Sequence, residues 1–129
     1  MSTPENLLDF IGRLLMSVIF VVVGVQQALN VEATQAYMNL HGVLSPLLPV
    51  AIVLELVGAV AIVLGYGTRI FAFLLAGFSI LTAMLFHDDF SNPMELELFV
   101  RDFAMAGGML VLCAHGPGDW SVDARKAAA

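Results

Sequence analysis

Glu55 stands inside an unbroken apolar run, with Val50-Ala51-Ile52-Val53-Leu54 before it and Leu56-Val57-Gly58-Ala59-Val60 after it. Inserting an ionisable side chain into hydrocarbon costs roughly 2.5–3.5 kcal/mol, so such a residue needs a partner or a purpose. Counted from Leu47 it lies eight residues into the run, about 12 Å at a helical rise of about 1.5 Å per residue. Either the carboxyl is protonated, or it pairs with a cation from another helix. Arg101 is the natural cation, because it enters from the same membrane face on a later segment. His87 is a second candidate, and Gln26 and Gln27 bring amides to that face. Four segments thus carry polar groups toward one half of a bundle, and that convergence marks a candidate site. The chemistry these types support is proton exchange at Glu55 and His87, with Arg101 offsetting developing negative charge.

Structural alternatives stand beside each of these readings. A Glu55–Arg101 pair can simply lock helix packing, and His87 can be a solvated residue at a helix end. His41 and His115 read as surface or interfacial residues, and Cys113 as a small apolar packing residue. Arg13 reads as a side chain that snorkels to headgroups rather than as a catalytic group. The seven methionines lack a recurring close spacing and read as packing or lipid-facing residues, not metal ligands.

The elements that must position these groups are long apolar helices. A membrane span needs about 20 mainly apolar residues. The expected spans cover about residues 8–29, 47–65, 70–87 and 97–115 of one domain over 1–129. The second ends at Gly65-Tyr66-Gly67, a tight turn that makes spans two and three antiparallel neighbours. The fourth is the weakest, since it must include Arg101 and Asp102, and it ends at Gly116-Pro117-Gly118. Between spans one and two, Ala33, Ala36, Tyr37, Leu40 and Leu44 recur at helical spacing and predict a short helix at the membrane surface. An irregular polar loop is the alternative there. On the first span Arg13, Ser17, Phe20, Gly24 and Gln27 share one face, as do Ala72, Ala76, Ser79, Ala83 and His87 on the third. Both faces are expected to look inward. Phe20, Gly24 and Gln27 are the expected substrate-contacting part of the first face, and Arg13 and Ser17 its structural polar part.

Composition agrees with this architecture. Apolar residues make up 60% of the 129 and charged residues only 12%, against about 45–50% and about 25% in ordinary soluble domains. The expected class is an all-α integral membrane four-helix bundle. Arg13, Arg69, Arg125 and Lys126 fall on one side of a four-span arrangement and no Lys or Arg lies in the opposite loops, so both termini are expected in the cytoplasm. Glu5 and Asp9 make the N-terminus acidic and no small-residue cleavage site follows the first run, so no secretory signal is expected. A net charge of −6 argues against nucleic acid as a partner. No phosphate-cradling loop, GxSxG or HExxH is present. The three histidines sit on different segments, and neither a bound metal nor haem is expected.

The ordered set Gly12-Arg13-Leu14-Leu15, Val23-Gly24-Val25, Glu55-Leu56-Val57-Gly58-Ala59, Leu64-Gly65-Tyr66-Gly67-Thr68-Arg69, Phe86-His87 and Gly116-Pro117-Gly118-Asp119-Trp120-Ser121-Val122-Asp123 spans nearly the whole chain. In this the chain resembles the DoxX family of small bacterial four-helix membrane proteins. The family's usual basic residue near the end of the first helix stands here as Gln27, and its lysine near the start of the fourth as Arg101. Some members are named as subunits of thiosulfate:quinone oxidoreductase, and others are linked to thiol and oxidative-stress complexes. The resemblance therefore implies a multi-pass protein of the bacterial inner membrane, in contact with lipid. It would be a subunit of an oxidoreductase system handling a quinone-type carrier or thiol and sulfur stress. No residue here carries electrons, so a cofactor-bearing protein partner, or a homo-oligomer, would complete the system. The alternatives are a non-catalytic assembly subunit and, further off, a small-solute carrier with Glu55 as its proton-coupled site.

Overall fold

In the computed structural model, which describes residues 1–128, no strand occurs among the described residues. Among these residues six α-helices follow one another: α1 (Thr3–Leu29), α2 (Val31–Leu40), α3 (Leu48–Leu64), α4 (Thr68–Phe86), α5 (Pro93–His115) and α6 (Val122–Ala128), with a 3-10 turn at Ser45–Leu47 before α3. The stretch between the first two long helices is thus a ten-residue helix.

Local chemistry sets the boundaries. The Ser2 hydroxyl accepts from the Glu5 N–H at 3.3 Å and Pro4 occupies the first turn, both favourable at a helix start. Asn92 and Pro93 repeat the device on α5, where the Asn92 side chain accepts from the Met94 N–H at 3.0 Å. Gly65 closes α3 in the left-handed region at φ 70°, a conformation costly for any residue with a Cβ. Ser121 packs directly against it, so this glycine is required twice over.

Three stretches, Thr3–Leu29, Ser45–Leu64 and Thr68–Phe86, are long and apolar enough to cross a membrane. Helix α5 matches them in length with 23 residues, but Glu95, Glu97, Arg101 and Asp102 crowd its first half. The helices pack chiefly as α1 on α3 and α4 on α5, and α3 joins α4 through their shared turn. The core is small in side chains and dense: Phe20, Ala59, Ile62, Ala72, Leu75, Ala76, Ala106 and Met109. Gly24 lets α1 approach α3 so closely that a Cβ there would sit 2.8 Å from Leu56 Cδ2. Small residues at such crossings are what lipid-embedded helices use in place of a hydrophobic drive. Meanwhile Leu15, Val18, Val22, Leu29, Val50, Val53, Val57, Val60, Ile70 and Phe73 are exposed along the outside. Apolar surface on that scale is the face of a protein solvated by lipid.

The end of the molecule that holds the N-terminus is tied shut. Arg13 is 2% exposed. Its Nη1 donates to the carbonyls of Ile62 at 3.0 Å and Val63 at 2.7 Å, its Nη2 to the Trp120 carbonyl at 2.6 Å, and its Nε to Asp9 Oδ2 at 2.9 Å. It does not snorkel to headgroups, because the last turn of α3 presents the Val63 carbonyl and the Ile62 carbonyl, the latter otherwise bonded only to the Gly65 N–H at 3.2 Å, and the guanidinium reaches both. Asp123 Oδ1 and Oδ2 accept from the N–H groups of Gly67 and Thr68, both at 2.8 Å. Asn6 Oδ1 accepts from the Asp119 N–H at 3.1 Å. The C-terminal segment is therefore a clasp across the α3–α4 turn and the start of α1.

Candidate functional site

The opposite end is open. Helices α3 and α4 share a turn at Gly65–Gly67 and part toward Leu48 and Phe86, leaving a cavity of about 380 Å³. Helix α1 contributes Phe20 and Gln27, α2 covers the space with Tyr37 and Met38, and α5 adds Arg101, Asp102 and Met105. The walls are apolar: Ile19, Val23, Leu48, Ala51, Leu54, Phe78, Leu85 and Phe86 among them. A cavity of this size lies within the range of small-molecule sites, about 300–1,000 Å³.

Of the residues singled out from the sequence, Phe20, Gln27, Glu55, His87 and Arg101 line this one cavity. Gly24 does not. It sits at the α1–α3 crossing and sets the distance between those helices. Arg13 and Ser17 lie toward the clasped end, where the Ser17 hydroxyl donates to the Arg13 carbonyl at 2.8 Å.

The expected Glu55–Arg101 pair is not formed. Arg101 has a 41% exposed side chain at the rim, and its Nη2 donates to Asp102 Oδ1 at 3.1 Å. Glu55 is 2% exposed, and its Oε2 has no hydrogen-bond partner in the protein. The reason is helical phase: Asp102, Ala106 and Met109 form the buried stripe of α5, so the neighbouring Arg101, about 100° round the helix, faces outward. That same phase is the signal by which Asp102 was legible in the sequence, since it stands four and seven residues before two small or apolar core positions.

His87 bridges two carboxylates unequally. Its Nδ1 is 3.1 Å from Glu95 Oε2, a hydrogen bond, while its Nε2 is 3.8 Å from Asp102 Oδ2, too far for one. Asp102 Oδ2 stays unpartnered, as do Gln27 Oε1, Glu55 Oε2 and Ser79 Oγ. All four residues line the cavity. Buried polar atoms in proteins are nearly always paired, and leaving one unmade costs about 1–3 kcal/mol. Four around one space is the pattern of a site built for an occupant.

Tyr37 belongs to the covering helix. Its ring stacks on Phe86 at 5.4 Å between centroids, and its hydroxyl donates to the Phe86 carbonyl at 3.4 Å. Burial first, then the negative charge of Glu95 and Asp88, push this hydroxyl above the usual phenol range. Among the described residues no group of three or more His, Cys, Asp or Glu side chains is arranged to hold a metal.

The profile of the DoxX family matches residues 8–88 of the chain. The chain is 37% identical over 123 residues to "Inner membrane protein YqjF" of Escherichia coli strain K12, covering 95% of each protein. It is 32% identical over 132 residues to "Inner membrane protein YphA" of the same organism, covering 96% of this chain and 94% of that one. No solved structure matches it.

Proposed function

The chain belongs to the DoxX family of inner-membrane proteins, and from that premise we propose that it is the membrane subunit of an oxidoreductase system that seats the head ring of a quinone-type carrier. The observation that carries the reading is the cavity of about 380 Å³ whose mainly apolar lining includes four residues that each hold a buried, unpartnered polar atom. A head ring needs flat apolar walls and a few hydrogen-bond donors at its carbonyl oxygens; Phe20, Leu48, Leu54 and Phe78 line the walls, and the Gln27 amide, the Ser79 hydroxyl and a protonated Glu55 are the donors.

In this reading α5 is a fourth span, with its acidic first turns at the outer membrane–water boundary. The termini share the clasped end, where Arg69, Arg125 and Lys126 also lie, and face the cytoplasm. The cavity then opens in the outer half of the bilayer. Reducing a quinone to its hydroquinone takes two electrons and two protons; the electrons come from a cofactor-bearing partner, a thiol- or sulfur-oxidising protein being the class the family suggests. Glu55 and His87 hold and pass protons at the ring's oxygens, and Arg101 at the rim offsets negative charge.

The test is native mass spectrometry of protein extracted gently from its membrane, wild type beside Glu55→Gln. A quinone-sized adduct in wild type that is lost in the variant supports the reading, and identical spectra with lipid alone sink it. A second reading, a non-catalytic assembly subunit, draws support from the clasp, in which Arg13 and Asp123 bind the C-terminal segment to three helices. It gains if polar substitutions in the cavity chiefly unfold the protein.

A further inference from the structure

The cavity has an electrostatic character that a neutral ring does not use. Its unpartnered atoms are Gln27 Oε1, Glu55 Oε2, Ser79 Oγ and Asp102 Oδ2. All four oxygens accept hydrogen bonds; the Ser79 hydroxyl also donates, as does Glu55 when its carboxyl is protonated, whereas Gln27 Oε1 and an ionised Asp102 have no hydrogen to give. Glu55, Ser79 and Asp102 are 2%, 3% and 4% exposed, so bulk water does not serve them. Two carboxyls line the space against one guanidinium, that of Arg101, which is spent on the other oxygen of Asp102 and lies largely at the rim. His87 turns its Nδ1 to Glu95 and leaves its Nε2 outside bonding distance of Asp102.

The surroundings carry the same sign. Glu32, Asp88, Asp89, Glu95 and Glu97 stand at this end of the bundle, where Arg101 is the one Lys or Arg and His41 and His87 are the histidines. Arg13, Arg69, Arg125 and Lys126 are all at the other end. A low-dielectric cleft rimmed by one sign of charge concentrates ligands of the opposite sign and repels those of its own. The walls add Phe20, Phe78, Phe86 and Tyr37, aromatic side chains of the kind that take the apolar body of an organic cation.

We propose that this cavity binds the ammonium head of a small lipophilic amine. An ammonium group is all donor and carries a positive charge, the complement of the two carboxyls of this lining. Its N–H groups take up the unpaired oxygens of Glu55 and Asp102, with Ser79 and Gln27 beside them, and its apolar body lies along the aromatic wall. An anionic head sets its own charge against both carboxyls and leaves their oxygens unpaired. The proposal uses the cavity that the quinone reading uses and does not depend on a quinone.

The test uses the full chain in phosphatidylcholine nanodiscs, with empty discs as the blank, and three probes of one skeleton: phenylbutylamine, phenylbutanol and phenylbutyrate. Equilibrium binding is measured by calorimetry. The amine should bind about tenfold more tightly than the alcohol, the difference between a charge-assisted and a neutral hydrogen bond, and the carboxylate more weakly than either. The double variant Glu55→Gln with Asp102→Asn should bind amine and alcohol alike, while Glu97→Gln, outside the cavity, should keep the preference. Equal binding of amine and alcohol to wild type overturns the proposal without recourse to any variant. So does binding of none of the three above the blank, or a preference that survives in the folded double variant. Decylquinone titrated into the same discs reports on the quinone reading separately, so the two can fail independently.

Discussion

Replacing Arg13 with methionine should release the clasp and cost the protein much of its stability. The guanidinium makes four hydrogen bonds, to Asp9 at 2.9 Å, Ile62 at 3.0 Å, Val63 at 2.7 Å and Trp120 at 2.6 Å. A hydrogen bond to a charged group contributes about 1.5–3 kcal/mol, but the sum overstates the loss, because the carbonyls at the end of α3 can turn to interfacial water. The Asp9 carboxylate, with its side chain 18% exposed, cannot recover as easily. Breaking a buried pair by removing one partner costs about 3–5 kcal/mol, and that is the expected effect of Arg13→Met. Arg13→Lys keeps the charge on a single ammonium that cannot span two helix-end carbonyls and Trp120 together, so it should lose at least one charged bond, about 1.5–3 kcal/mol. The assay is unfolding in mixed micelles by added dodecyl sulfate, followed by circular dichroism and by fluorescence of Trp120, the one tryptophan in the chain. Fluorescence should move first in the variant, since the C-terminal segment comes away before the helices part. A stability for Arg13→Met within about 0.5 kcal/mol of wild type, the range of an ordinary surface change, would refute the argument.

Other substitutions probe separate parts of the structure. Asp123→Ala removes the carboxylate that accepts from Gly67 and Thr68 and should cost about 1 kcal/mol in the same assay, as for a lost helix cap. Burial works to raise the Asp123 carboxyl, but the N–H groups of Thr68 and Gly67 and the charge of Lys126 outweigh it and hold it below the usual carboxylate range. A group lowered in this way adds stability that is complete above its unfolded value near 3.9 and is lost as pH falls through the folded value. Wild type should therefore lose stability below about pH 4, and Asp123→Asn should flatten that part of the acid titration. Gly24→Val drives a side chain into Leu56 and should cost about 1–3 kcal/mol while widening the α1–α3 crossing, which a spin-label distance pair across the two helices would report.

Much of the scaffold could be read from the chain. Runs without charge, the Gly65-Tyr66-Gly67 turn and the Gly116-Pro117-Gly118 stop act locally, and local signals survive in a sequence. So did the convergence of Gln27, Glu55, His87 and Arg101, because the distance of each from a helix end follows from rise per residue alone, whereas Gln26, expected with them, is exposed and off the cavity. What a count of depth alone misses depends on rotation and on distant partners. Glu55 looks as though it should meet Arg101 when only depth is counted, yet one residue of helical phase puts Asp102 inside and Arg101 out. Arg13 looks like a snorkelling side chain until the carbonyls of Ile62 and Val63, about 50 residues away in the chain, are brought beside it. The role of Tyr37 depends on how α2 folds back onto Phe86, which no periodicity within ten residues encodes.

The two ends of the molecule set up a last prediction, which separates a site from a structural lock. If Glu55 served to fix helix register, its removal would uncover a partner and cost about 3–5 kcal/mol. In this structure Glu55 Oε2 and Ser79 Oγ have no partner to uncover. They are held in an apolar cavity at a cost of about 1–3 kcal/mol each when unmade. Glu55→Met and Ser79→Ala should therefore leave stability unchanged or raise it, by up to about 2 kcal/mol for the former and about 1 kcal/mol for the latter, with the sign opposite to that of Arg13→Met. Both should at the same time weaken whatever the cavity binds, which calorimetry on the same samples would register. Loss of several kcal/mol in Glu55→Met would return the carboxyl to the packing of the bundle and take the site reading with it. Gain of stability with loss of binding would mean that this end of the fold tolerates an unfavourable arrangement for the sake of a ligand, while the clasp at the other end supplies the stability that makes it tolerable.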